Sequence, residues 1–261
     1  PPIRVDDLDF SFQQPATSVA MHGAAVELTT PEAGHLAATI KAQHGVTMTA
    51  GNRTVDFDAF AATVNLDDDR LDLHELTASR RDAELRARGA IAFRGDTSTV
   101  DITVDATSDL AQWWEQPTGN PASRPVGRVD ATARITGVLS DPTVTVETNS
   151  GSVAWSDLQV SDIKARGSYR RGQLSLTTAT LDFAGGTVEA RGEIVLDDAR
   201  RASRIEARWT QVDARRIAGA TGLAGIIAKN GTAVVEWRTD GVAEPPRGGA
   251  GPPRVYIDAT T

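Results

Sequence analysis

Over most of its 261 residues the chain alternates apolar and polar side chains with a period of two. That is the period of a β-strand with one covered and one wet face, whereas amphipathic helices would repeat every 3.6 residues. From Val188 to Leu196 the apolar or small residues Val188, Ala190, Gly192, Ile194 and Leu196 alternate with Glu189, Arg191 and Glu193. Leu85, Ala87, Gly89, Ile91 and Phe93 alternate likewise with Arg86 and Arg88. Leu8 to Phe12, Ala24 to Leu28, Leu71–Leu73, Val100–Ile102–Val104, Val129 to Ile135, Val144–Val146 and Leu174–Leu176 carry shorter versions. Turn-forming clusters divide these runs at Asp67–Arg70, Arg170–Gly172, Ala184–Thr187 and Asp197–Arg200, as hairpin loops would. Helical periodicity is confined to Asp109–Trp114 and Asp213–Ala220, each too short to cover a sheet. A parallel α/β fold needs a helix after nearly every strand and is not expected. The expectation is an all-β, mostly antiparallel meander with short helical crossing turns.

The chain also matches itself at an offset of about 103 residues. FDAFAA from Phe57 falls on VSDIKA from Val160, Leu71–Leu73 on Leu174–Leu176, and LRARGAI from Leu85 on VEARGEI from Val188. One residue of slippage later, Gly127 to Gly137 falls on Gly231 to Gly241, and the two crossing turns also correspond. An ordered series at one offset marks a repeat architecture. The expected division is a first repeat over 1–125, a second over 126–225 and the start of a third over 226–261. The chain opens on Pro1 without a methionine and stops at Thr261 within a strand-like run, as an excised piece of a longer protein would.

Composition narrows the function classes. The formal net charge is −8, and the arginines are spread along strands instead of gathered on one basic face, so a nucleic-acid partner is not expected. There is no cysteine, hence no disulfide framework or thiolate metal site. No apolar stretch reaches the roughly 20 residues of a membrane-spanning helix, and no signal peptide opens the chain. His22, His35, His44 and His74 stand apart at no ligand spacing, and Asp67–Asp69 lacks the glycine and later glutamate of a calcium loop. No nucleophile elbow or phosphate-binding glycine loop occurs, and the carboxylates alternate with apolar residues as a solvated face requires. Neither an enzyme nor a cofactor is expected. Trp113 and Trp114 lie on the first crossing element; Trp155, Trp209 and Trp237 lie in strands, where an indole either fills a core or lines a groove.

The stretch Gly127–Pro142 (GRVDATARITGVLSDP), then Val153–Leu158 (VAWSDL), Tyr169–Leu174 (YRRGQL) and Gly185–Gly192 (GGTVEARG), resembles the repeats of the translocation and assembly module family (TamB) and its AsmA-like relatives. The resemblance covers roughly residues 50–245 and lies in the style of the repeat: a glycine-framed strand ending near Asp-Pro, a short inner strand, then a Gly-Gly hairpin. It implies an elongated curled sheet, a β-taco or repeating β-groove, with an apolar interior and a polar exterior. It further implies a periplasmic rod anchored in the inner membrane that moves phospholipid toward the outer membrane and, in one branch, works with an outer-membrane barrel protein. The membrane anchor would lie outside this segment.

Alternation assigns the inward set Leu71, Leu73, Leu85, Ile91, Phe93, Ile102, Val104, Val129, Ile135, Leu174, Leu176, Val188, Ile194 and Leu196, with Trp209 and Trp237 as further lining. Arg86, Arg88, Glu189, Arg191 and Glu193 belong outside. Without helices to cover it, such a face must curl on itself, pair with a second sheet or accept an apolar ligand. Acyl chains gain about 0.8 kcal/mol per buried methylene, so phospholipid acyl chains are the leading partner. The competing readings are a scaffold that templates barrel strands by strand addition and a closed β-sandwich or adhesin stalk.

Overall fold

A computed structural model describes residues 2–14, 17–31, 34–42, 45–50, 53–81, 83–94, 97–110, 125–155, 158–196, 202–213, 230–237 and 254–260. Among them the chain forms β1 (Ile3–Gln14), β2 (Thr17–Thr29), β3 (Leu36–Ala42), β4 (Val46–Ala50), β5 (Arg53–Phe57) and β6 (Ala59–Leu66). There follow β7 (Arg70–Arg80), β8 (Ala83–Arg94), β9 (Thr97–Asp109), β10 (Pro125–Val138), β11 (Asp141–Trp155) and β12 (Leu158–Arg170). The last are β13 (Gln173–Phe183), β14 (Gly186–Val195), β15 (Ser203–Thr210), β16 (Asn230–Trp237) and β17 (Arg254–Thr260). The fold is all-β, and the described ladders are antiparallel.

No α-helix occurs among the described residues, where the expected helical crossing turns are not seen beyond a 3-10 turn at Leu110. Asp109 ends β9 and Asp213 follows β15, while 111–114 and 214–220 lie outside the described residues. β9 stays paired with β8 as far as Thr107 opposite Glu84.

The chain divides into two compact units, one of Pro1–Ser108 with Thr132–Pro142 and one of Asp109–Ala131 with Thr143–Thr261. In the first, β2 pairs with β1 along its length, with β3 over Ala24–Thr29 and with β4 over Thr17–Met21. β3 and β4 thus lie end to end as one interrupted strand, and β6 and β5 lie end to end beside them. β6, β7, β8 and β9 continue the meander. The interruptions fall on neighbouring strands. Asp7 and Gly23 have φ of 61° each and Gly45 has 102°. The Gly23 N–H donates to Asp9 Oδ1 at 3.1 Å, and Asp58 Oδ2 accepts the Arg81 N–H at 2.7 Å. Aligned irregularities of this kind bend strands. At the bend Ala24, Ala42 and Val46 are each 1% exposed, with Val19, Met21, Phe57 and Phe60 packed on them.

In the second unit β11 to β17 pair in sequence order. Its hairpin tips follow local turn chemistry: Arg171–Gly172 have φ of 47° and 69°, and Ala184–Gly185 have 49° and 85°. Positive φ at both central residues is the requirement of a type I′ turn. The expected turn at Asp197–Arg200 lies outside the described residues.

Pairing registers recur at an offset of 103 residues. Leu71 faces Ile91 and Leu174 faces Ile194; Leu73 faces Gly89 and Leu176 faces Gly192. Gly89 then faces Ile102 as Gly192 faces Ile205. Even the irregularities match, since β7 skips register between Leu73 and Leu76 where β13 skips between Leu176 and Ala179.

Ser203 closes the end of β14. It is fully buried, and its Oγ accepts the Val195 N–H at 3.0 Å while Val195 itself is 1% exposed. Ser203→Ala is expected to lower stability by about 1–3 kcal/mol, because a buried donor loses its partner. Chemical denaturation checks this, and an unchanged midpoint would remove the hydrogen bond from the account.

Candidate functional site

Residues directly opposite one another in an antiparallel pair share a face, so the registers show which predicted residues meet. In the first unit Leu71 lies between Leu66 and Ile91, Leu73 between Val64 and Gly89, and Leu85 between Ala78 and Ala106. Ile102 faces Gly89, Val104 faces Ala87 and Phe93 faces Ser98. The face extends to residues that the inward set omits: Phe60 and Ala62 of β6, Ile40 and Ala42 of β3, and Ala24 and Val26 of β2. Strict alternation in each segment carried that signal. Ile135 belongs to this unit and is half-buried.

In the second unit Leu174 faces Tyr169 and Ile194, Val188 faces Leu181 and Trp209, and Leu176 faces Gly167 and Gly192. Trp209 in turn faces Gly231, where a side chain would collide with its indole at 2.3 Å. Trp237 is opposite Ser203 in the backbone register. Ile205 and Val235 join the same face. Val129 belongs here and is half-buried. Leu196 follows the end of β14 and is 51% exposed, whereas Val195 takes the covered position. Phe93, near the end of β8, is 39% exposed.

The covered side chains on these faces are small. Among the side chains that the structure describes, the buried hydrophobic ones are all alanine or valine, and no Leu, Ile, Phe, Met or Trp is buried. In a closed two-layer core Leu, Ile and Phe are among the residues most often fully buried. Leu71, Leu73, Leu85, Ile91, Ile102, Leu174, Leu176, Val188, Ile194 and Trp209 are instead half-buried. Of two recesses in the second unit, one of about 730 Å³ lies by Leu158, Phe183 and Gly185, and one of about 620 Å³ lies among Glu189, Arg191, Glu206 and Arg208. Neither contains a residue of the inward set.

The opposite faces are charged and cross-braced. Arg86 faces Asp105 and Glu189 faces Arg208. Arg134 clamps Asp101 through two contacts of 3.0 Å, and Arg166 meets Glu147 at 2.9 Å. Arg191, Glu206, Arg204 and Glu236 form a chain across β14, β15 and β16 with links of 2.9, 2.8 and 2.7 Å. Hydrogen bonds from Arg204 and then Arg191 hold the Glu206 carboxyl below the usual glutamate range, and Arg134 does the same for Asp101. A lowered folded-state pKa stabilises above the unfolded value and is lost as pH falls through the folded one. The thermal midpoint is therefore expected to drop between about pH 6 and about pH 3, with Glu206→Gln removing a small part of that drop. An identical slope in the variant would show that the chain of ion pairs does not couple to folding.

No group of three or more His, Cys, Asp or Glu converges to hold a metal among the described residues. His22 and His35 each contact one aspartate, Asp9 and Asp67 respectively, and His74 is exposed at the β7 irregularity. The arrangement can therefore offer apolar contact on one face and a charged, ion-paired surface on the other. Comparison with known proteins found no matching family model, no matching curated protein and no matching solved structure.

Proposed function

We propose that the chain is a non-enzymatic β-groove segment that shields phospholipid acyl chains, as an interior part of a TamB- or AsmA-like periplasmic protein moving lipid between the inner and outer membranes. The observation that carries this reading is the half-burial of the large apolar residues along the paired faces, from Leu71 and Ile91 to Leu174 and Ile194. A surface of that kind is costly in water and gains from a ligand that needs no directional contacts. An acyl chain is such a ligand: it slides from one strand pair to the next because each methylene gains a similar amount. The cross-braced polar face favours a groove that keeps its form while occupied.

The test is native mass spectrometry and lipid extraction of the purified chain after exposure to vesicles of phosphatidylethanolamine and phosphatidylglycerol. Co-purifying diacyl phospholipid, displaced by a fluorescent fatty acid, is the expected result. A chain that stays lipid-free and excludes the probe sinks the transport reading and favours a dry sandwich or stalk.

A further inference from the structure

The recess of about 730 Å³ in the second unit lies at the β13–β14 hairpin tip. Ser161, Asp182, Thr187 and Thr210, which line it, stand directly opposite one another in successive ladders from β12 to β15, so they share a face. Alternation along β14 makes it the face of Glu189 and Arg191, away from Val188 and Ala190. Gln159 and Gln211 add two carboxamides. Among the described residues the one charged side chain in this lining is Asp182, whereas the neighbouring recess is crossed by the ion pair of Arg191 with Glu206.

The first repeat shows what the fold itself requires at this place. At the offset of 103 residues Ser161 corresponds to Asp58, Asp182 to Ser79, Ala184 to Arg81 and Thr187 to Glu84. Asp58 Oδ2 accepts the Arg81 N–H at 2.7 Å, and Glu84 is held by Arg86 at 2.7 Å. Arg81 and Ala184 nevertheless share one backbone conformation, with φ of 48° and 49°. The second tip thus forms with serine in place of the capping carboxylate, and its own carboxylate stands exposed across the ladder on β13. Thr187 Oγ1 donates to Asp182 Oδ1 and Gln159 Nε2 donates to Ser152 Oγ, both at 3.3 Å. A carboxylate accepts about four hydrogen bonds, and hydroxyls and carboxamides both donate and accept, so the row has capacity in both senses.

We propose that this recess binds a neutral saccharide, separately from the apolar face. Neighbouring hydroxyls of a sugar are donors and acceptors at fixed spacing. Asp182 accepts from a vicinal pair, while Ser161, Thr210 and the two carboxamides meet the hydroxyls beside it. The volume falls within the roughly 300–1,000 Å³ of small-ligand sites. The lone carboxylate, with no cation beside it in the lining, selects against sulfated or phosphorylated sugars.

The probes are chitotriose, maltotriose and mannotriose, each titrated onto the isotope-labelled full chain and followed by amide chemical shifts. Saturable binding of at least one is expected, with shifts gathered at Ser161, Asp182–Thr187 and Thr210. Asp182→Asn, a change of an exposed side chain that keeps its shape, should keep the thermal midpoint and phospholipid uptake yet weaken binding about tenfold. Ser161→Asp, which restores the residue of the first repeat, should weaken it as much. Absence of saturable binding by all three sugars, shifts elsewhere, or wild-type affinity in both variants overturns the proposal. Tighter binding of ethanolamine than of any of the sugars makes Asp182 a cation site and overturns it too.

Discussion

Replacing Ile194 with aspartate is expected to empty the second unit of phospholipid while the chain stays folded. Ile194 faces Leu174 across the β13–β14 ladder and is only half-buried, so a carboxylate there reaches water. The expected loss of stability is about 1–2 kcal/mol, the transfer free energy of the lost side chain. In a sealed core the same carboxylate would be buried unpaired, at several kcal/mol, which rivals the net stability of a domain. Ile91→Asp and Leu176→Asp, at matching places in the repeat, should behave alike, and Leu196→Asp should do little because Leu196 already stands in solvent. Lipid content and thermal unfolding are measured on the same samples. Loss of folding at Ile91, Leu176 and Ile194 together with a lipid-free wild type would end the groove reading.

The largest effect on stability is expected from Gly89→Ala and its counterpart Gly192→Ala. Gly89 has a φ of +150°, and a Cβ there would lie 2.1 Å from the Asp101 carbonyl oxygen and 2.6 Å from the Ile102 Cα. Gly192, at +158°, would meet the Arg204 carbonyl oxygen at 2.1 Å. Both obstacles are backbone and cannot turn aside, so β8 must part from β9, or β14 from β15. Strain of this kind costs about 1–3 kcal/mol before any ladder is lost, and broken pairing should carry the total beyond about 3 kcal/mol. Far-UV circular dichroism in denaturant follows Gly89→Ala, and Trp209 fluorescence follows Gly192→Ala. Wild-type midpoints in both would mean that the strands do not approach so closely.

Alternation and turn chemistry are local properties, and by themselves they determine much of this protein. The period of two assigns strands, Leu85 to Phe93 and Val188 to Ile194 among them, and separates Leu71 from Arg86 because a one-residue slip would exchange the faces. Arg171–Gly172 and Ala184–Gly185 announce their turns because positive φ has few tenants. The repeat is legible as well, down to the pairing of Leu174 with Ile194 where Leu71 pairs with Ile91.

What lies beyond the sequence depends on contacts between segments far apart in the chain. The breaks between β3 and β4 and between β5 and β6 follow from irregularities gathered from neighbouring strands, and no one segment encodes them. Burial of Ala24, Ala42 and Val46 in place of larger neighbours reflects how closely the backbones approach at that bend. The exchange of Leu196 for Val195 at the end of β14 turns on Ser203, eight residues away. The half-burial of Leu71, Ile91, Leu174 and Ile194 is likewise decided in three dimensions, because alternation states which face is apolar and only the placement of every other segment determines what covers it.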